Sequence, residues 1–233
     1  MKLPSPLLAL LPSLSPPPSS RRLFLIRHGE VVPPGGVHGP LYGDLDVPLS
    51  PFGEAEAILA ATALEDVPLA VVVSSPLRRA VFGAAAIRRN RAPAGPETHP
   101  GFRELCRGAW RGLTKEQIGA DAFGRFNACE EAATPEGGES IAAVSARVLA
   151  AAADVLPSVP LGGSGAVVSH LWVTRSLLAA ASDRPVAELA GMSVPTASVS
   201  CVEYEYEGGE VVGQRVLFQG YKPGERSSQD VGN

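Results

Sequence analysis

Two histidines in this chain stand where open α/β sheets gather their reacting groups, just past the carboxyl end of an apolar run. His28 lies two residues beyond Ile26 in the stretch LFLIRHGE, and His170 directly follows AVVS. Arg27 precedes His28, and SSPLRRA places Ser74, Ser75, Arg78 and Arg79 just after another apolar run, at a helix start. The free N–H groups of a helix start and the fork of a guanidinium both bind phosphate oxygens. If the strands are neighbours, the two imidazoles face one another across a pocket suited to a tetrahedral dianion. Nearby guanidiniums disfavour imidazolium, so the pocket keeps a ring nitrogen unprotonated near neutral pH, and an imidazole there can be more than a binder. For either histidine alone, a simple strand-end cap is the plainer reading; the arginines shift that balance.

Such side chains need strands to deliver them. RLFLI, LAVVV (Leu69 to Val73) and GAVVS (Gly165 to Ser169) are short apolar runs without polar alternation, which suits strands covered on both faces. Helical signals lie between them. Ser50 followed by Pro51 reads as an N-cap and first helical residue, Ser75 and Pro76 repeat the arrangement, and Glu139 to Leu156 is an Ala-rich helical stretch. Ser198 to Glu207 alternates polar and apolar residues, and Gly208 and Gly209 suit a hairpin turn into a further strand. The pattern predicts an α/β fold: a three-layer sandwich with a mostly parallel central sheet and one antiparallel edge strand. Residues 90–138 have weak periodicity and many Gly and Pro, and read as an inserted loop-and-helix region of the kind that supplies a substrate lid.

The ordered set RHGE, SSPLRRA, RELCRGAWRG, PEGGES and VSHLWVTR resembles the histidine phosphatase superfamily, which includes phosphoglycerate-mutase-like enzymes. The resemblance spans roughly Arg22 to Tyr206. It implies that His28 is the nucleophile that becomes a phosphohistidine, that Arg27 and Arg79 clamp the phosphate, and that His170 binds the transferring oxygens. By the same resemblance Glu104 protonates the leaving alcohol and then activates water, and Gly43 approaches the substrate. No metal and no cofactor is implied. Glu97, Glu116 and Asp121 are the other carboxylates of the region and read as solvated loop groups. Arg78 reads as a surface residue or a substrate contact, and His38 and His99 as exposed loop residues, with His38 also placed to line the pocket mouth. Trp110 reads as packing.

Three departures bear on the substrate: Leu171 where many relatives have glycine, VVPPGGVHGP without the asparagine often found after RHG, and Glu56 where glutamine is common. The expected activity is hydrolysis of a small phosphorylated metabolite. LCRGAWRG lacks the Arg-His-Tyr set of phosphoglycerate mutases, which makes a mutase the second reading; a non-catalytic phosphate-binding protein of the same fold is the third. Sugar phosphates and bisphosphates, α-ribazole phosphate and phosphoproteins are all compatible, while few basic residues near the lid argue against an inositol polyphosphate.

The bounds are consistent with this. A net charge of -4 over 233 residues, 45% of them hydrophobic, describes one soluble domain with no bulk attraction to nucleic acid. Cys106, Cys129 and Cys201 have neither disulfide nor zinc spacing. Residues 1–20, rich in Leu, Pro and Ser, read as a disordered tail or a processed targeting segment rather than a membrane span, and 221–233 as a polar tail, leaving 21–220 as the domain. That places the protein in the cytoplasm or an organelle stroma. Oligomeric state is not legible.

Overall fold

A computed structural model describes residues 5–32, 39–89 and 97–224. Six strands form one sheet: β1 (Ser20–Arg27), β2 (Leu69–Ser74), β3 (Glu97–Thr98), β4 (Ser164–Ser169), β5 (Val199–Glu207) and β6 (Glu210–Tyr221). Their order is β3-β2-β4-β1-β5-β6. The first four are mutually parallel, while β5 runs antiparallel to both β1 and β6. The antiparallel strand is therefore one place in from the edge, and the expected edge position falls to β6. This follows from the tight turn at Gly208 and Gly209, which returns the chain beside β5 on its free side.

The helices are α1 (Pro51–Ala63), α2 (Arg78–Arg88), α3 (Lys115–Ile118), α4 (Ala120–Asn127), α5 (Ile141–Val155) and α6 (Leu171–Ala180). They make two layers. Phe24, Ile26, Val72, Ala166, Val168 and Val199 pack toward Ala60 and Leu64 of α1 and Ala80, Ala84 and Ile87 of α2. Leu23, Leu25, Val73, Val167 and Val202 turn the other way, onto Val144, Val148 and Ala151 of α5 and Val173 and Leu177 of α6. Successive residues of a strand point to opposite faces, so a continuous apolar run supplies both layers at once. Ser50 caps α1 through its Oγ, which accepts the Gly53 N–H at 3.0 Å. The second Ser-Pro pair behaves differently. Ser75 Oγ accepts the Leu77 N–H, and α2 begins only at Arg78 with Leu77 at its N-cap, because the Ser75 N–H is still bonded to Val168 of β4. Ile141–Ser158 is long and apolar enough to pass for a membrane span, yet its first fifteen residues are α5, whose apolar face is the core on one side of the sheet.

Both expected tails need correction over their described residues. Ser5 opens a 3-10 turn at Pro6–Leu10, and Leu7 is fully buried among Phe24, Leu64 and Cys201. Arg22 fastens the same segment: its Nη1 donates to the Ser13 carbonyl at 2.6 Å while its Nε meets Glu203 at 2.8 Å in a fully buried pair. At the other end β6 runs to Tyr221, and the Lys222 ammonium donates to the Thr196 carbonyl at 2.5 Å. Leu7 carries a direct test. Leu7→Ala is expected to lower unfolding stability in urea by about 2–5 kcal/mol, the cost of a cavity at a buried leucine. A loss within about 0.5 kcal/mol, typical of a surface change, would return residues 5–20 to the status of a tail.

Candidate active site

Parallel pairing of β1 with β4 sets Arg27 opposite Ser169, and the residues that follow are the two histidines. Their rings lie 5.1 Å apart between centroids, tilted by 59°. Both are buried, His28 to 2% and His170 to 0% exposure. His28 is held on both sides of its backbone: its N–H donates to Ser169 O at 2.9 Å, and its carbonyl accepts from Ala197 N at 3.0 Å. Its Nδ1 lies 2.6 Å from the Gly29 carbonyl, which can only accept, so Nδ1 carries the proton and Nε2 keeps its lone pair. Burial drives the His28 pKa well below 6.5, reinforced by Arg79 and then Arg27 and opposed by the Gly29 hydrogen bond. His170 is likewise lowered by burial, then by His28, Arg79 and Arg27. Its two ring nitrogens are buried without a hydrogen-bond partner.

Gly29 has a packing reason for lacking a side chain. A Cβ there would lie 2.1 Å from the Gly53 carbonyl oxygen, and one on Gly53 would lie 2.0 Å from that of Glu30. The segment after His28 thus sits backbone against backbone on the start of α1, where Glu30 O accepts the Ser50 N–H at 3.0 Å.

The arginines converge on the imidazoles. Arg27 donates from Nη1 to Val194 O at 2.6 Å. Arg79, fully buried, donates to Leu45 O at 2.6 Å and Gly43 O at 2.8 Å, while its Nε has no partner. Gly43 has φ +45, and a Cβ there would meet Arg107 Cγ at 2.6 Å and Leu105 O at 2.8 Å. Its observed contacts orient Arg79. Arg78 points outward, its side chain 62% exposed and paired with Asp46 at 3.2 Å.

Glu104 reaches the same place from the inserted region. Its carboxylate accepts three backbone N–H bonds: Leu105 at 2.9 Å, Leu171 at 3.2 Å and Trp172 at 3.3 Å. The last two belong to the first turn of α6, so Glu104 caps the helix that begins beside His170, and the Leu171 N–H is spent on Glu104. The backbone around Glu104 is braced by PEGGES. Glu139 accepts the Cys106 N–H at 2.9 Å and grips Arg147 of α5, which donates to the carbonyls of Gly101 at 2.8 Å and Arg103 at 3.0 Å. That motif therefore acts as scaffold.

Several residues of the site are not visible from sequence. The Tyr42 ring lies 5.3 Å from the Arg79 guanidinium carbon, and burial raises its phenol pKa. Arg103 donates to Asp44 O at 3.2 Å and contributes to the lowering of His170. Arg107 lies among Phe123, Phe126 and Trp172, with its buried Nη1 unpartnered. Arg175 sits 5.0 Å over Trp172, its pKa lowered to about 10 by burial and then by Arg27. The expectation of few basic residues near the inserted region thus fails: Arg103 and Arg107 come from that region, and Arg175 joins them one helical turn beyond Leu171. His99 is not idle either, since its Nδ1 accepts the Gly101 N–H at 3.1 Å. Trp110 packs on Phe126 as expected, with centroids 5.3 Å apart. His38 lies outside the described residues. No metal-binding cluster of His, Cys, Asp and Glu occurs among the described residues. A groove of about 680 Å³ between α1 and α2, lined by Ile58, Phe82 and Ile87, contains none of the reacting groups.

Comparison with known proteins finds relatives of this chain in sequence and in fold. The chain is 36% identical over 177 residues to glucosyl-3-phosphoglycerate phosphatase of Mycobacterium tuberculosis, covering 72% of this chain and 78% of that protein. It is 30% identical over 185 residues to a 2,3-bisphosphoglycerate-dependent phosphoglycerate mutase of Rhizobium etli, covering 76% and 87%. The native structure of mycobacterial glucosyl-3-phosphoglycerate phosphatase superposes with a TM-score of 0.74 at 30% identity, over 87% of this chain and 99% of that one. That phosphatase has also been solved in complex with inorganic phosphate, with a TM-score of 0.71 at 30% identity over 87% and 98%. The family profile that matches, over residues 23–216, is histidine phosphatase superfamily (branch 1), and the chain belongs to that superfamily.

Proposed function

We propose that this hydrolase of small phosphorylated metabolites works through a phosphohistidine at His28. The observation that carries the reading is the pair of buried imidazoles, 5.1 Å apart between ring centroids at adjoining strand ends, flanked by Arg27 and Arg79. His28 Nε2 attacks phosphorus as the ester P–O bond breaks, and the leaving alkoxide takes the proton of Glu104, which enters this step as the carboxylic acid and leaves it as the carboxylate. Water then attacks the phosphohistidine, gives a proton back to Glu104, and the N–P bond breaks to release inorganic phosphate. His170, Arg27 and Arg79 donate to the equatorial oxygens, where charge accumulates in the transition state. To deliver its proton Glu104 must turn one oxygen away from the first turn of α6. The incoming phosphate is a competing acceptor for those N–H groups. Residues 97–138 serve as the cover: Arg111 pairs with Asp44 at 2.6 Å, clasping this region to the loop that orients Arg79.

The mutase relative supports a second reading, in which the phosphoryl group returns to another hydroxyl. The two separate on 3-phosphoglycerate: release of inorganic phosphate outpacing formation of 2-phosphoglycerate supports the hydrolase, and the reverse supports the mutase.

His28→Ala is expected to abolish metal-free release of nitrophenol from p-nitrophenyl phosphate, and acid-labile phosphate should be trapped on the wild-type protein alone. An unchanged rate in His28→Ala would sink the mechanism. Glu104→Gln is expected to slow hydrolysis of an alkyl phosphate by about 10²–10⁴-fold, the usual yield of a general acid. In kcat/KM, which reports formation of the phosphohistidine and not its hydrolysis, the loss should be smaller for p-nitrophenyl phosphate, whose leaving group needs little protonation; equal losses in kcat/KM would remove Glu104 from the acid role.

The lowered histidines also predict a pH dependence. Above about pH 6.5 both folded and unfolded chains hold these rings neutral, and stability is complete. As pH falls below that value the unfolded chain takes up protons that the folded pocket refuses, so stability is lost from there down through the depressed folded values. Histidine ¹⁵N spectra should show a neutral Nδ1–H tautomer at His28 at pH 6.5. An imidazolium signal there would contradict the pocket electrostatics.

A further inference from the structure

Glu56 and Lys222 form a buried ion pair that the reaction scheme does not use. Glu56 is 5% exposed and Lys222 14%, and the ammonium meets Glu56 Oε1 directly. Glu56 Oε2 accepts the Glu30 N–H at 2.8 Å. Glu56 Oε1 also accepts the Thr196 hydroxyl at 3.1 Å, and Lys222 Nζ donates to the Thr196 carbonyl at 2.5 Å and its Oγ1 at 3.1 Å. Those two endpoints flank the nucleophile. Glu30 is two residues beyond His28. Thr196 precedes Ala197, whose N–H holds the His28 carbonyl and whose φ of +51 is costly for alanine. Val194 and Ser198 of the same segment hold Arg27, by its guanidinium and by its backbone N–H at 3.2 Å.

We propose that Lys222 is a positioning residue for phosphoryl transfer, acting through Glu56 and Thr196 on the backbone either side of His28. The proposal rests on His28 as nucleophile. It also accounts for the pairing of Lys222 with a carboxylate at 56 and not with an amide. A glutamine amide can accept the Glu30 N–H and donate to Thr196 from one side chain. A carboxylate can only accept, so the donor must come from elsewhere, and a buried charge must be matched. Lys222 supplies both.

The loss of Lys222 leaves Glu56 buried and uncompensated, and removes the bonds from the ammonium to Thr196, so that only the Thr196 hydroxyl still ties that segment to Glu56. Lys222→Met is expected to lower kcat on p-nitrophenyl phosphate by about tenfold or more with KM within about twofold, because geometry at the reacting atom is disturbed and phosphate binding is not. The double variant Lys222→Met/Glu56→Gln should recover to within about threefold of wild type, since the two positions are directly coupled. In the single variant the His28 Nδ1–H signal should shift, and in the double it should return. The proposal is overturned if Lys222→Met loses thermal stability but keeps the wild-type kcat and His28 signal, or if the double variant is no better than the single. The spectrum reads the His28 environment without turnover, so it tests the clamp even if His28→Ala were to show that another residue is the nucleophile.

Discussion

Positive charge without water is the condition that organises this molecule. Two imidazoles and the guanidiniums of Arg27 and Arg79 share a pocket in which His170 and Arg79 are fully buried. Withdrawing a cation from water is costly unless acceptors replace the solvent. The fold meets that cost unevenly. The guanidiniums are given backbone carbonyls from Val194, Leu45 and Gly43, which fix their direction without adding a neutralising charge. The histidines respond by staying neutral. A carboxylate in the same position would have bonded the arginines tightly and removed the site's capacity for a dianion.

Much of the surrounding architecture follows from holding those carbonyls still. The segments 43–45 and 194–198 carry the acceptors, and neither is a regular element. Each is tied to something that is: the first through Arg111 and the 104–113 loop, the second through β6 and Lys222. Glu104 ties the inserted region to α6 by capping its first turn, so the group proposed to move the proton also fixes the helix beside His170. Scaffold and chemistry share residues here.

The sheet was legible because a parallel strand buried on both faces leaves a continuous apolar run, and RLFLI, LAVVV and GAVVS are all of that kind. His28 and His170 were legible because they end such runs. What escaped was set by contacts between distant segments. Leu7 looks like part of a Pro-rich tail until Phe24 and Leu64 are seen around it. Arg175 meets Trp172 as its i, i+3 neighbour on α6, but nothing local to Arg107 says that it will lie against the same ring. The demand for glycine at 29 comes from Gly53, and the meaning of Glu56 is written 166 positions later, at Lys222.

The ring nitrogens of His170, with Nε of Arg27 and of Arg79, are buried and have no hydrogen-bond partner within the chain. By the proposed mechanism a tetrahedral oxyanion accepts from the single N–H of a neutral His170 ring and from the arginines, a set of donors that only the folded chain brings together. By mass action such an anion at a hundredfold excess over its dissociation constant adds about 2.7 kcal/mol to folding stability. Inorganic phosphate, the product of hydrolysis, is such an anion. By that mechanism product stabilises the folded state through the same donors that hold substrate, and each turnover has to release it before the next substrate can enter.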